Sequence, residues 1–119
     1  MNRILWVSRQ HEPTSRQKAS LVRIYGEDVE ILRYKETFSS ADQIAIRYRK
    51  EKCTALVFVG PESALRRLVE LPDVVVVRAI PREVREGEVP DFVDRKSGTR
   101  LVFNGFEQVD KIEVKTTLL

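Results

Sequence analysis

The fold is decided by the stretch Ala55-Leu56-Val57-Phe58-Val59, a continuous apolar run rich in residues that favour β-structure. A second run of the same kind, Val74-Val75-Val76-Val77, follows it along the chain. A strand that is apolar at every position is buried on both faces, which is typical of a central parallel strand covered by helices on each side. The two runs therefore predict the middle of an α/β sheet.

The segment before these runs predicts a strand followed by a helix. The stretch Ile4-Leu5-Trp6-Val7-Ser8 indicates a first strand with Trp6 in the core. Thr14 and Gln17 have the spacing of a capping box, which predicts the start of the first helix, and Gly26 predicts its end.

The same alternation continues up to residue 80. The charged stretch Val29–Tyr34 indicates a half-exposed strand at the margin of the sheet, and further helices are predicted after Ser39-Ser40 and Gly60-Pro61. Right-handed crossovers between neighbouring strands favour the strand order 2-1-3-4. We expect a single Rossmann-like, three-layer domain over residues 1–119, with a parallel βαβαβαβ core over 1–80.

The last third of the sequence departs from this alternation. Residues 81–98 contain two prolines, two glycines and dense alternating charge, which predict a long loop. Residues 99–119 predict a C-terminal β-hairpin around Asn104-Gly105, a strong turn signal. This hairpin would extend the sheet in an antiparallel sense or offer Ile112 and Val114 to a second subunit.

Composition narrows the class of protein. The 119 residues are 42% hydrophobic and 33% charged, which is enough for a buried core, and the net charge of +3 is mild. Basic residues alternate with acidic ones and form no long run, which argues against duplex nucleic acid as a partner. The single cysteine, Cys53, the lack of a signal-peptide pattern and the short apolar runs predict a cytoplasmic protein without membrane association.

Two predicted loops carry the candidate chemistry. Ser8–Pro13 follows the first strand and Gly60–Ser63 follows the third, and each directly precedes a helix N-terminus. Loops at the carboxyl ends of parallel strands form the ligand crevice of such folds, and helix N-termini favour anions. Arg9 adds positive charge, so the sequence predicts a phosphate pocket. Neither the glycine pattern of dinucleotide sites nor that of triphosphate sites is present.

The residues of this pocket have alternative interpretations. His11 is the only histidine, and it is either a general acid or base or an exposed loop residue. Ser8 either binds phosphate or ties the loop by a local hydrogen bond. Thr14 also fits the capping box, and Arg78 and Arg82 either clamp phosphate or pair with a nearby glutamate.

The expected catalytic residues are Ser8, Arg9 and His11, and the expected ligand-binding residues are Gln10, Thr14, Arg16, Gly60, Pro61, Ser63, Arg78 and Arg82. We expect no metal and no cofactor, because His11 has no partner at metal-ligand spacing.

The opening Ile4-Leu5-Trp6-Val7-Ser8-Arg9 with His11 just beyond, the chain length and the βαβ order resemble the small stand-alone CRISPR-associated proteins with a Rossmann-like fold. Some of these are ring nucleases for cyclic oligoadenylates, although Gln10 stands here where that pattern has histidine directly after arginine. The resemblance implies a homodimer whose two crevices meet over one cyclic ligand. It also implies metal-independent ring opening, in which a ribose 2′-hydroxyl attacks the neighbouring phosphate and Arg9 stabilises the developing charge.

The alternative is a non-enzymatic interaction or regulatory protein of a virus, plasmid or defence cassette. Such a protein would use the C-terminal hairpin to pair with itself or with a partner.

Overall fold

A computed structural model describes residues 2–8 and 11–110 of the chain. Three helices and six strands occur within them. In chain order they are β1 (Arg3–Val7), α1 (Ser15–Tyr25), β2 (Glu30–Tyr34), α2 (Ala41–Lys50), β3 (Ala55–Phe58), α3 (Glu62–Glu70), β4 (Val76–Glu83), β5 (Phe92–Val93) and β6 (Arg100–Gln108). None of the helices in this described part is long and apolar enough to cross a membrane.

The strands form one six-stranded sheet in the order β2-β1-β3-β4-β6-β5. β1 is parallel to β2 and β3, and β3 is parallel to β4. β6 is antiparallel to both β4 and β5. The predicted α/β class is confirmed, and the sheet as a whole is mixed rather than parallel.

Helices cover both faces of the sheet. On one face α1 contributes Leu21 to a cluster with Ile4, Trp6 and Val57. On the other face α2 and α3 cover the opposite side chains of the same strands, including Leu56. All four residues of β3 are buried, as a strand covered on both faces requires.

The predicted capping box at the start of α1 is confirmed. Thr14 Oγ1 accepts from the Gln17 backbone N–H at 3.2 Å, and Gln17 Oε1 accepts from the Thr14 N–H at 2.9 Å. Gly26 ends the helix with φ 107°, a backbone conformation that favours glycine. These bonds fix where α1 begins, directly after the first loop.

The turn predicted at Asn104-Gly105 is wrong, because β6 runs unbroken through both residues. The pairing of β6 with β4 shifts register here: Ala79 faces Phe106 and Pro81 faces Phe103, which leaves two residues of β6 opposite one of β4. Gly105 has φ 111°, so the glycine serves a β-bulge. An Asn-Gly pair indicates positive-φ backbone, which a bulge uses as readily as a turn does.

The loop predicted over 81–98 is only partly a loop. β4 continues to Glu83, and β5 lies inside the predicted loop. The reversal occurs instead over 94–99, where Asp94 N–H donates to Thr99 O at 2.8 Å and Asp94 Oδ1 accepts from Lys96 N–H at 2.8 Å. The second strand predicted for the hairpin, with Ile112 and Val114, falls mainly outside the described residues.

Residues 79–103 form an arm that extends beyond the part of the sheet where β3 and β4 pair. Within the arm, both guanidinium Nη atoms of Arg82 donate to the Glu88 carboxylate, at 2.8 and 2.7 Å. The backbone N–H of Arg85 donates to the same carboxylate at 2.7 Å. These bonds lower the pKa of Glu88 from 4.5 to about 2.

The lowered pKa of Glu88 predicts a pH-dependent contribution to stability. A carboxyl with a lowered folded-state pKa stabilises the fold above its ordinary pKa of 4.5, and this contribution is lost as the pH falls towards 2. We expect Glu88→Gln to lower Tm at pH 7, and the difference from the unmodified protein to shrink between pH 4.5 and pH 2. Thermal melts across this range measure it. Glu86→Gln, in the same segment between β4 and β5, is the control. A difference in Tm between Glu88→Gln and the unmodified protein that stays constant from pH 7 to pH 2 would contradict the prediction.

Candidate functional site

The candidate site lies at the edge where β1, β2 and β3 have their carboxyl ends. These strands are parallel neighbours, so Val7, Tyr34 and Phe58 end at the same edge of the sheet. The pairing of β1 with β3 reaches the edge itself, where the Val59 N–H donates to Val7 O at 3.0 Å. Ligands of open α/β sheets bind outside such an edge.

The loop after β1 is fixed by two buried side chains. Ser8 Oγ accepts from the His11 backbone N–H at 3.2 Å, and Trp6 Nε1 donates to His11 O at 3.0 Å. Trp6 is buried in the core as predicted, and Ser8 is also buried. Both polar atoms of the His11 backbone are therefore held, while the residue is exposed at the edge. Arg9 and Gln10, two of the predicted site residues, lie outside the described residues.

Arg33 of β2 is a residue of this site that the sequence did not reveal. Its Nη2 donates to Ser8 O at 3.1 Å, and its Nη1 lies 3.2 Å from Glu12 Oε1. The Arg33 side chain is 18% exposed and that of Glu12 is 79% exposed. Arg33 Nε is buried and has no hydrogen-bond partner among the described residues. A largely buried cation thus lies beneath the loop, and an exposed carboxylate contacts it.

The N-terminus of α1 follows this loop and adds backbone N–H groups that have no partner among the described residues. The Gln17 N–H is taken by Thr14 Oγ1 and the Lys18 N–H by Thr14 O. The N–H groups of Ser15 and Arg16 donate to no described residue. The first turn of α1 contains no acidic residue. These N–H groups and the positive end of the helix can receive an anion.

The second predicted loop, Gly60–Ser63, is exposed at the same edge. A Cβ atom at Gly60 would lie 2.8 Å from Phe58 Cζ, so the close approach of this ring accounts for the glycine. Within residues 2–8 and 11–110, no hydrogen bond or ion pair joins Gly60, Pro61 or Ser63 to Ser8 or His11. The first loop is tied instead to β2, through Arg33.

The two arginines predicted near the end of the fourth strand both contact carboxylates. Arg78 Nε donates to Glu107 of β6, and Arg82 forms the paired bonds to Glu88 in the arm. In the structure, both arginines therefore pair with glutamate. This is the alternative to phosphate binding that the sequence left open. The Thr14 hydroxyl likewise serves the capping box.

The single cysteine of the chain lies away from this edge. Within the described residues there is no group of three or more side chains able to hold a metal ion. Cys53 precedes β3 and therefore lies at the opposite edge of the sheet. Burial raises the pKa of its thiol, which favours the unreactive protonated form.

Comparison with protein-family models, curated proteins and solved structures finds no match for this chain. Any function assigned to it rests on the geometry of its own residues.

Proposed function

We propose that this chain is a Rossmann-like domain that binds a phosphate-bearing nucleotide at the carboxyl edge of β1 and β2. The observation that carries the proposal is the largely buried Arg33, which contacts Ser8 and Glu12 shortly before the N-terminus of α1. A largely buried guanidinium and helix N–H groups without a described partner are both groups that bind phosphate.

The phosphate takes its hydrogen bonds from the N–H groups of Ser15 and Arg16, and its charge is balanced by Arg33 and Arg9. Glu12 already presents a carboxylate to Arg33 Nη1. Because Glu12 is mostly exposed, its side chain can leave the guanidinium at small cost, and a ligand phosphate takes its place. Glu12 thus acts as an internal competitor of the ligand.

The most specific form of the proposal is a cyclic oligoadenylate that the protein opens. The ribose 2′-oxygen attacks the adjacent phosphorus and the bond to the 5′-oxygen breaks, which leaves a cyclic phosphate and a 5′-hydroxyl. The 2′-hydroxyl proton is taken up and the 5′-oxygen is protonated, and the imidazole of His11 serves in one of these transfers. Arg9, Arg33 and the helix N–H groups stabilise the charge that develops on the phosphate.

Binding of a cyclic oligoadenylate requires two protomers. A 119-residue domain is too small to enclose it alone, and a two-fold axis beside the edge would double the donors offered to the phosphates. We therefore propose a cytoplasmic homodimer with a role in defence against foreign nucleic acid.

Removal of the Arg33 guanidinium tests this proposal. We expect Arg33→Gln to weaken the binding of cyclic tetra-adenylate by about 1.5–3 kcal/mol, the scale of a charge-assisted hydrogen bond. Glu12→Gln should strengthen binding, because it removes the competing carboxylate and keeps the arginine. Calorimetric titration at fixed salt concentration measures both affinities.

The matched control for Arg33→Gln is Arg3→Gln. Arg3 is also a strand arginine paired with a glutamate, Glu30, but it lies at the opposite edge of the sheet. Wild-type protein that binds no cyclic oligonucleotide would discard the proposal, and so would equal effects of the two substitutions. Because Arg33 also holds Ser8 O, the melting temperature of each variant must be compared, and Glu12→Gln supplies a readout that does not remove this bond.

An interaction or regulatory protein remains the second candidate, and the arm favours it. Val89, Phe92 and Val93 are exposed apolar side chains, and among the described strands β5 is the last at its edge of the sheet. Unpaired edge strands with exposed apolar residues are suited to pairing with another chain. Loss of self-association in Phe92→Glu, in a protein that binds no nucleotide, would favour this function.

A further inference from the structure

The outer face of α1 carries positive charge and no carboxylate of the helix itself. The helix contains Arg16, Lys18 and Arg23, all three exposed, and no carboxylate anywhere along Ser15–Tyr25. The only side-chain hydrogen bond of these cations within the described residues joins Arg23 to Ser20 Oγ of the same helix at 3.5 Å.

The other two helices neutralise their arginines. Each arginine of α2 and α3 forms an ion pair with an aspartate or glutamate, whereas no ion pair within the described residues involves a cation of α1. The pairs in α2 and α3 include Arg47–Glu36, Arg49–Asp73, Arg66–Glu62 and Arg67–Asp42. Among the described residues, nothing neutralises the charge of α1.

The three cations flank an exposed strip of the helix. Arg16 and Arg23 are seven residues apart, so they lie on one stripe and about 10 Å apart at 1.5 Å per residue. Lys18 lies on the other side of a strip of shorter exposed side chains, Ser15 and Ala19. Arg16 lies at the helix end that faces the candidate phosphate site.

We infer that this face of α1 binds successive phosphates of a single-stranded oligonucleotide whose first phosphate is held at the carboxyl edge. The inference rests on the proposed function and narrows its ligand from nucleotides in general to polyanions with several phosphates. Cations on both sides of this strip, without ion pairs among the described residues, match repeated negative charge, whereas a mononucleotide would use only the helix N-terminus and the loop.

The salt dependence of binding tests this inference. Each phosphate contact in a single-stranded ligand changes the slope of log affinity against log salt concentration by about 0.7. We therefore expect the double variant Lys18→Gln/Arg23→Gln to bind cyclic hexa-adenylate more weakly, with a slope shallower by about 1.4, two contacts at about 0.7 each. Its affinity for adenosine monophosphate should not change.

The matched control is Arg66→Gln/Arg67→Gln, which removes two ion-paired cations from α3 and changes the net charge by the same amount. Its slope should equal that of the unmodified protein. An equal change of slope in both double variants would overturn the inference, because the effect would then come from net charge alone. Failure of the unmodified protein to bind cyclic hexa-adenylate would overturn it as well.

Arg33→Gln separates this inference from the proposed function. If the α1 double variant weakens cyclic hexa-adenylate binding and Arg33→Gln does not, the helix face is the binding surface and the carboxyl-edge site fails. If only Arg33→Gln weakens binding, the edge site stands and the role of α1 is refuted.

Discussion

Replacement of His11 by alanine is expected to slow the opening of cyclic tetra-adenylate by about 10²–10⁴-fold and to leave its affinity nearly unchanged. This substitution removes the imidazole without removing the hydrogen bonds that hold the residue. The two bonds that hold the residue, from its N–H to Ser8 Oγ and from Trp6 Nε1 to its carbonyl, involve only backbone atoms of His11. Alanine keeps both, so the loop stays in place and only the imidazole is lost.

Single-turnover cleavage at saturating ligand, followed by chromatography, measures the rate, and calorimetry measures the affinity. Lys50→Ala, at the exposed end of α2 on the opposite edge of the sheet, serves as the control and should keep the normal rate. Retention of the normal rate in His11→Ala would exclude proton transfer by this residue. A parallel loss of rate and affinity would assign it to ligand binding instead.

Truncation of Leu56 to alanine is expected to lower the free energy of unfolding by about 2–5 kcal/mol. Leu56 is 0% exposed, and its register neighbours are Leu5 of β1 and Val76 of β4. Because helices α2 and α3 cover this face of the sheet, the lost side chain leaves a cavity that its neighbours cannot easily fill. Urea unfolding at neutral pH measures the change.

The control for Leu56→Ala is Ile46→Ala, an aliphatic truncation on α2 at a side chain that is 62% exposed. Truncation of such an exposed side chain should change the free energy of unfolding by less than about 0.5 kcal/mol. A loss below about 1 kcal/mol for Leu56→Ala, or equal losses for the two variants, would contradict the placement of β3 at the centre of the sheet.

The helices and the buried strands could be predicted because their signals are local. The apolar run at Ala55–Phe58 and the capping box at Thr14 each depend on a few adjacent residues, and both were found where expected. The arm could not be predicted in the same way. Its alternating charge and Pro81 resemble a loop, and only pairing with the distant strand β6 extends β4 to Glu83.

The candidate site was predictable only in part. The loop with Ser8 and His11 follows an apolar strand, and this local pattern located it. Arg33 depends on the register that puts it beside Trp6 of β1, and a lone arginine in a half-exposed strand gives no sign of that neighbour. Arg78 is a similar case, because its partner Glu107 is 29 residues away and becomes a neighbour only through the pairing of β4 with β6.

The central proposal is a phosphate site at the carboxyl edge of β1 and β2. It is tested most directly by mapping the ligand-binding residues with nuclear magnetic resonance. In a titration of the ¹⁵N-labelled protein with cyclic tetra-adenylate, the largest shift changes should occur at the amides of Ser8, His11, Ser15 and Arg16 and at Nε of Arg33. Shift changes confined to Val89, Phe92 and Val93 of the arm, or none at saturating ligand, would contradict the proposal.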